Sequence, residues 1–333
     1  MNAGVMMRAA WYDSLGPARG VFEVGGLATP SPSAGEVLVK IAASGINPSD
    51  VKRRAGWLGG RQEYDRTVPH SDGAGTIEAV GAGVPGTRVG ERVWVFNAQR
   101  DRTMGTAAEY IALAAEQAVP LPQSVDFTAG ACLGIPACTA HYALFWQGPL
   151  EGLTVLVQGG AGAVGQYAVQ LAALSGAQVI ATISSPEKAA MARDAGAVAA
   201  IDYTKEDVVA AVEDFTDGAG VDHIVEVDFG ANFKTDATIL KPRGVIAAYS
   251  SSRAPRFEFD YYALGYKGAR LTFVQAYLLT VNERNAAIAD LTRLMENSEL
   301  RHDARHRFPL ENIADAHELM ESGTALGNIV LEI

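Results

Sequence analysis

The chain has 333 residues, 48% of them hydrophobic and 20% charged, with a formal net charge of −11. This is the balance of a soluble globular chain of one large or two ordinary domains, and the negative charge argues against nucleic acid or an anionic membrane as a main partner. No apolar run has bilayer-spanning length, MNAGVMMRAAWYD lacks the apolar core of a secretory signal, and Cys132 and Cys138 are too few for a disulfide scaffold. A cytoplasmic location is therefore expected.

In chain order, residues 1 to about 120 read as strands divided by glycine and proline turns. EVLVKIAASG alternates apolar residues at 37, 39 and 41, and GTIEAVGAGV and GERVWVF follow as further short strands. The prolines of VPLPQS, residues 119 to 124, mark a boundary. Beyond it helices and strands alternate: helix AGACLGIPACTAHYALF, strand TVLVQG, a crossover helix, strand AQVIATI, helix PEKAAMARDAG, strand AAIDY, helix EDVVAAVEDF, strand DHIVEV, helix FKTDATIL and strand GVIAAYS. These strands are continuous β-branched runs, as buried parallel strands are, so an α/β doubly wound parallel sheet is predicted over 125–266. RLTFV adds a strand, NERNAAIADLTRLMEN and ENIADAHELMESG read as helices, and GNIVLEI is a last strand expected to return to the N-terminal domain. The predicted domains are 125–266, and 1–124 with 267–333.

The segment VLVQGGAGAVG places glycines at 159, 162 and 165 between a strand and an amphipathic run ending at Gly176. Such glycines allow a tight turn, approach of backbone to a pyrophosphate, and close helix-to-strand packing, with the phosphates on the helix N-terminus. About 20 residues further on, a site for NAD places an acid on the ribose hydroxyls. Here the strand ends in Thr182, Ile183, Ser184 and Ser185, with Lys188 following. Two hydroxyls and an ammonium predict NADPH, while Ser184 and Ser185 also fit the cap of the helix starting at Pro186.

Taken together, GINPSDVKRRAG, SDGAGTIEAVGAGV, GTAAEYIAL, GIPACTAHYALF, VLVQGGAGAVGQYAVQLA, ATISSPEKAAMARDAGA and GTALGNIVLEI resemble the zinc-free quinone oxidoreductases of the medium-chain dehydrogenase/reductase superfamily, the zeta-crystallin-like group. The resemblance covers nearly the whole chain. It implies a Rossmann domain with a mainly-β GroES-like substrate domain, NADPH in the cleft between them, and a homodimer or homotetramer. It also implies roles for single residues: Gly159, Ala161, Gly162, Ala163 and Val164 about the pyrophosphate, Thr139 at the nicotinamide, and Tyr203 near the adenosine phosphate. Tyr249 and Ser250 end the fifth strand, and Phe273, Val274 and Gln275 match the stretch whose backbone meets the carboxamide. Asn328 stands where relatives often carry a lysine, and His70 replaces a small residue.

Zinc alcohol dehydrogenases of that superfamily carry cysteine where this chain has Asn47, histidine where it has Ser71, and a run of cysteines for a structural metal. With only two cysteines and scattered histidines, of which His302 and His306 read as solvated, no metal is expected. Without a Lewis acid the acceptor must be electron-poor by itself, as quinones and conjugated enones are. Asn47 reads either as a donor to the acceptor oxygen or the nicotinamide ribose, or as the start of a turn or helix, with Asp50 a possible cap. Lys52 reads as an oxyanion donor, a cofactor contact or a solvated residue, and Trp57 and Leu58 as pocket walls or core. Lys52 also stands where a stacking tyrosine is common, which makes NPSDVKRRAG similar to the alkenal/enone reductases. Three readings follow: an NADPH-dependent quinone oxidoreductase, an NADPH-dependent alkenal/enone reductase, or an NADPH-binding structural or regulatory protein.

Overall fold

The computed structural model describes residues 5–333, so residues 1–4 of the N-terminal stretch read above lie outside the described residues. The chain forms two compact units, one of residues up to Pro136 together with Ile288–Ile333, the other Ala137–Ala287.

The first unit opens with an antiparallel pair, β1 (Met6–Tyr12) and β2 (Phe22–Ala28), joined through the short helix α1 (Ala18–Val21). Its seven-stranded sheet is centred on β3 (Glu36–Ile46), which leads directly into α2 (Pro48–Ala55). β4 (Asp72–Val80) pairs antiparallel with β3 and β5 (Arg92–Val95), while β6 (Tyr110–Ala114) takes the first half of the other edge of β3. β7 (Ala118–Pro120) closes on β5, so VPLPQS begins as a strand inside this unit. The alternation read at 37, 39 and 41 is the pleat itself: Val37, Val39 and Ile41 are buried with Ile77, Val93, Val95, Ile111 and Leu113, and Lys40 faces water. Each such apolar side chain contributes about 1.5–3 kcal/mol relative to leaving it exposed.

The helix expected over AGACLGIPACTAHYALF is broken. α3 (Phe127–Gly130) is followed by a π-type turn, Leu133–Ala137, that contains Pro136, and α4 (Cys138–Phe145) begins only after it. Proline has no N–H to give and its ring displaces the carbonyl a turn earlier, so a continuous α-helix cannot run through it.

In the second unit, β8 (Thr154–Val157), α5 (Ala163–Leu174), β9 (Gln178–Ile183), α6 (Pro186–Asp194), β10 (Ala199–Asp202), α7 (Val208–Phe215), β11 (Val221–Glu226), α8 (Phe229–Ile239), β12 (Leu240–Ala248), α9 (Tyr261–Gly265) and β13 (Arg270–Phe273) follow one another. The sheet order is β10-β9-β8-β11-β12-β13 and every pairing is parallel. This is a doubly wound Rossmann arrangement with the order reversing between β8 and β11, but its bounds differ from the expected 125–266: the unit runs from Ala137 to Ala287 and takes in β13, which the sequence reading assigned to the other domain. The division between units then falls within α10 (Val281–Glu296). After it, β14 (His306–Pro309), α11 (Ile313–Ser322) and β15 (Ile329–Glu332) rejoin the first unit, β15 pairing antiparallel with the second half of β3 as GNIVLEI suggested.

A buried polar chain runs through the core of the first unit, and it supplies a role for His70. The Thr106 hydroxyl donates to the Asp72 carbonyl at 2.5 Å, so its one proton is spent. Ser44 Oγ, 2.7 Å away, must therefore donate to Thr106 Oγ1, and must accept from His70 Nδ1 at 2.8 Å. His70 Nε2 is then bare and accepts from His317 Nε2 at 2.8 Å. The chain ends at His317 Nδ1, which is buried with no donor, beside the edge of Phe22. Every proton runs one way, which holds both imidazoles neutral. His70 takes the left-handed φ of 80° to reach this place.

Burial pushes His70 down to about 3, and burial together with the neighbouring His70 and Arg54 pushes His317 well below the usual histidine range. The expectation that His302 is solvated fails as well: it is only partly exposed, and burial pushes it down to about 4. His306 is likewise half-buried, its Nε2 accepting from the Leu326 N–H.

Such histidines are protonated in the unfolded chain below about pH 6.5 but not in the folded one. Their stability contribution is therefore full above that pH and is lost as pH falls, at about 1.4 kcal/mol per pH unit for each. We predict that His317→Gln makes the decline of unfolding free energy between about pH 6 and pH 4 shallower by about 1.4 kcal/mol per unit, measured by urea titration. A slope equal to that of the wild type would contradict the one-way chain.

Candidate functional site

The three glycines of the turn after β8 meet three different demands. Gly159 has φ of 71°, in the region where side chains are disfavoured. At Gly165, a Cβ would stand 2.1 Å from the Gly159 carbonyl oxygen, so only glycine lets α5 close on the turn. Gly162 is different. It caps α5 in extended backbone, is exposed, and a Cβ there would meet nothing closer than 3.4 Å. Nothing among the described residues crowds a side chain at 162, and the exposed position leaves its backbone open to solvent. The first helical residues Ala163, Val164 and Gly165 bring N–H groups with no intrahelical acceptor to the same end. Ala161 beneath them is buried.

The candidates read from the strand ends gather on the same, carboxyl edge of the sheet. At the end of β9, Ser185 caps α6 by accepting from the Lys188 N–H at 3.3 Å, and Lys188 Nζ donates to Ser184 Oγ at 3.1 Å. Among the described residues no carboxylate is ion-paired with Lys188, although Lys205 and Arg253 on neighbouring loops are held by Asp202 and Asp228 at 2.8 and 2.6 Å. Tyr203 follows β10 and is exposed. Tyr249 and Ser250 follow β12; burial and the Glu226 charge push the Tyr249 phenol well up, and Ser250 Oγ bonds to Ser252 Oγ at 2.9 Å. At the end of β13, Phe273 is exposed, Val274 is buried with its N–H on the Ala248 carbonyl at 2.8 Å, and Gln275 starts a short 3-10 turn. Thr139 is buried near the start of α4.

In the first unit Asn47 is locked from several sides. It caps α2 in a capping box, its side chain accepting from the Asp50 N–H while its own N–H donates to Asp50 Oδ2 at 2.8 Å. Its Nδ2 also donates to Asp72 Oδ2 at 2.8 Å. Burial pushes the Asp50 carboxyl up to about 7, against that Asn47 N–H. Asp72 is the hub that the sequence reading passed over: it also accepts from the Ile135 N–H at 2.9 Å, and a Cβ on Gly134 would stand 2.2 Å from its Oδ1. The Lys52 ammonium lies 4.5 Å from the centre of the Trp57 ring, a cation–π contact. Trp57 and Leu58 are exposed, so neither is core. Asn328 is buried and tied to the Asp303 carbonyl through its N–H at 2.8 Å.

This donor set does not fit tetrahedral zinc. At the positions named above stand an amide and a hydroxyl, not a thiolate and an imidazole. Among the described residues no group of three histidine, cysteine or acidic side chains could hold a metal.

Behind the glycine turn lies a network that sequence reading also missed. Gly159 N–H donates to Thr182 Oγ1 at 2.9 Å, Thr182 Oγ1 donates to Gln158 Oε1 at 2.8 Å, and Gln158 Nε2 donates to Asp236 Oδ1 at 2.9 Å. Asp236 and its neighbour Glu226 are fully buried. The available signal was Glu226 itself, an acid inside the apolar run of DHIVEV, where charge is tolerated only with partners.

Two family models match the chain: one described as an alcohol dehydrogenase GroES-like domain, over residues 33–123, and one described as a zinc-binding dehydrogenase, over residues 163–293. A quinone oxidoreductase of Pseudomonas aeruginosa is 32% identical over 307 residues, covering 90% of this chain and 92% of its own. An NADPH-dependent alkenal/one oxidoreductase of Arabidopsis thaliana is 28% identical over 98% of this chain and 79% of its own. A mycobacterial structure complexed with NADPH superposes with a TM-score of 0.87 at 30% identity, covering 98% of this chain and all of that one. With its parallel six-stranded nucleotide unit, its GroES-like unit and these relatives, the chain belongs to the quinone oxidoreductases of the medium-chain dehydrogenase/reductase superfamily.

Proposed function

We propose that this chain is an NADPH-dependent quinone oxidoreductase that works without zinc. The observation that carries the cofactor choice is the Lys188 ammonium, held by a neutral hydroxyl at the end of β9 in a chain of net charge −11. A 2′-phosphate suits that place, and an acid there would repel it. The exposed backbone at Gly162 and the N–H groups of Ala163, Val164 and Gly165 suit the pyrophosphate. Bound NADPH supplies a hydride; the chain's part is to hold the cofactor and to stabilise charge on the acceptor.

Asn47 suits the second task. The capping box and Asp72 fix its amide, and Nδ2 carries a second N–H beyond the one given to Asp72. A donor held still before the reaction stabilises a developing oxyanion without reorganising. Because the chain offers no zinc ligands at this place, the acceptor has to be electron-poor from the start, as a quinone is. Lys52 is the second catalytic candidate. Its engagement with Trp57, in place of a free stacking aromatic, also favours the runner-up, reduction of alkenals and enones, which is the activity named for the Arabidopsis relative.

The same reading includes a homodimer. β13 is an edge strand paired only with β12, and Tyr266 and Phe273 beside it are 86% and 70% exposed, more than a lone edge tolerates well. A cytoplasmic location accords with the buried thiols of Cys132 and Cys138.

Lys188→Ala is expected to weaken NADPH binding by about 1.5–3 kcal/mol and to leave NADH binding nearly unchanged, read by fluorescence titration; equal losses for both would overturn the phosphate assignment. The glycines separate folding from binding. Gly165→Ala is expected to lower the melting temperature, while Gly162→Val leaves it nearly unchanged and raises the KM for NADPH; the reverse order would show that the exposed turn is not the phosphate cradle. The activity itself is tested by following NADPH oxidation with ortho-quinones, para-quinones and enals in the presence of a chelator. Turnover of quinones is expected. Turnover of enals alone would establish the runner-up, and NADPH binding without any turnover would point to a structural or regulatory protein.

A further inference from the structure

Asp236 is buried completely, yet nothing positive lies against it. Its Oδ1 accepts from Gln158 Nε2 at 2.9 Å, and its Oδ2 has no N–H donor. Its other neighbour is the buried carboxyl of Glu226, whose charge acts on it. Two carboxylates cannot both stay ionised in such a place, so one must carry a proton. The surroundings decide which. Glu226 receives the Asp228 N–H and the Asn232 Nδ2 group, the latter at 3.0 and 3.2 Å from its two oxygens, so donors converge on it as on a carboxylate. Asp236 receives one. Burial and the Glu226 charge push Asp236 well above the carboxylate range, in the same direction.

The acid pair heads a chain reaching the cofactor turn. Gln158 has its Nε2 on Asp236 and therefore its Oε1 toward Thr182, whose hydroxyl donates to it and accepts the Gly159 N–H. Because Gly159 already needs positive φ, the direction in which its N–H is pulled fixes how the next residues leave the strand. We propose that Asp236, as the protonated partner of Glu226, is a positioning residue for the dinucleotide turn, acting through Gln158 and Thr182 on the Gly159 amide. This deepens the NADPH reading above and rests on it.

The test compares substitutions that keep or break the chain. Asp236→Asn preserves an oxygen for Gln158 and places an N–H where the acid proton lies; it is expected to keep the KM for NADPH within about twofold of wild type. Asp236→Ala leaves Gln158 without its acceptor and is expected to raise that KM about fivefold to tenfold while kcat changes less than about twofold, the loss of one buried hydrogen bond being felt in cofactor binding. Thr182→Val, which leaves the acid pair intact, is expected to do the same, and Thr182→Ser to restore binding, so the idea stays testable if Asp236→Ala does not fold. Amide hydrogen exchange at Gly159 without any cofactor supplies a reading independent of activity: it is expected to quicken in Asp236→Ala and Thr182→Val but not in Asp236→Asn. Infrared spectra of protein with 13C-labelled aspartate, recorded above about pH 8 where Asp50 is ionised, should show a protonated carboxylic acid that vanishes in Asp236→Asn. If Asp236→Asn impairs NADPH binding as much as Asp236→Ala, or if Gly159 exchange ignores both, the proposal is wrong. Failure of wild-type protein to use NADPH, with the exchange pattern as expected, would overturn the cofactor reading instead.

Discussion

The closest constraint in the nucleotide unit is between two backbone segments, the Gly159 carbonyl at the end of β8 and the α carbon of Gly165 in the first turn of α5. A side chain at 165 would need to occupy space 2.1 Å from that oxygen. Because the helix closes down this tightly, its N-terminus opens directly above the end of the central strand, at the point where the sheet order reverses. The position of the anion-attracting helix end depends on that contact, while the parallel pairing of the strands brings Ser184, Tyr203, Tyr249 and Val274 to one edge.

The two units hold two kinds of polar group. Those at the strand ends are partly open: the Lys188 ammonium rests on the neutral Ser184 hydroxyl, while Lys205 and Arg253 are paired with acids. Those behind the strands are sealed: the one-way chain from His317 to Asp72 in one unit, the Glu226 and Asp236 acids in the other. Sealed groups add little net stability when satisfied but are costly when left alone, so they act by allowing a single arrangement. In the first unit that arrangement fixes the backbone of Asp72, whose carboxylate in turn holds the Asn47 amide.

Much of this was legible in the sequence wherever a residue's role is local. Continuous β-branched runs announced the parallel strands, the period of two at 37, 39 and 41 announced β3, and three glycines before an amphipathic run announced the turn. Pro136 is visible too, yet the residues around it keep a helical pattern, and only the break at Leu133–Ala137 shows its local effect. Roles that depend on distant partners were not legible. Nothing near His70 indicates that His317 lies 2.8 Å away, since 247 positions separate them. Asp72 reads as an ordinary strand-start acid until Asn47, Gly134 and Ile135 converge on it. Glu226 in DHIVEV was the one readable anomaly, and its partner Asp236 sits in an unremarkable amphipathic helix.

The central proposal is that the nucleotide edge of this unit takes a cofactor carrying an extra phosphate. Calorimetric titration of the wild-type protein with NADPH and with NADH, in the same low-salt buffer, tests it most directly. The arrangement of Ser184, Ser185 and Lys188 predicts that NADPH binds at least about tenfold tighter, and that its advantage shrinks as salt is raised. Equal affinity for the two, or tighter binding of NADH, would contradict it.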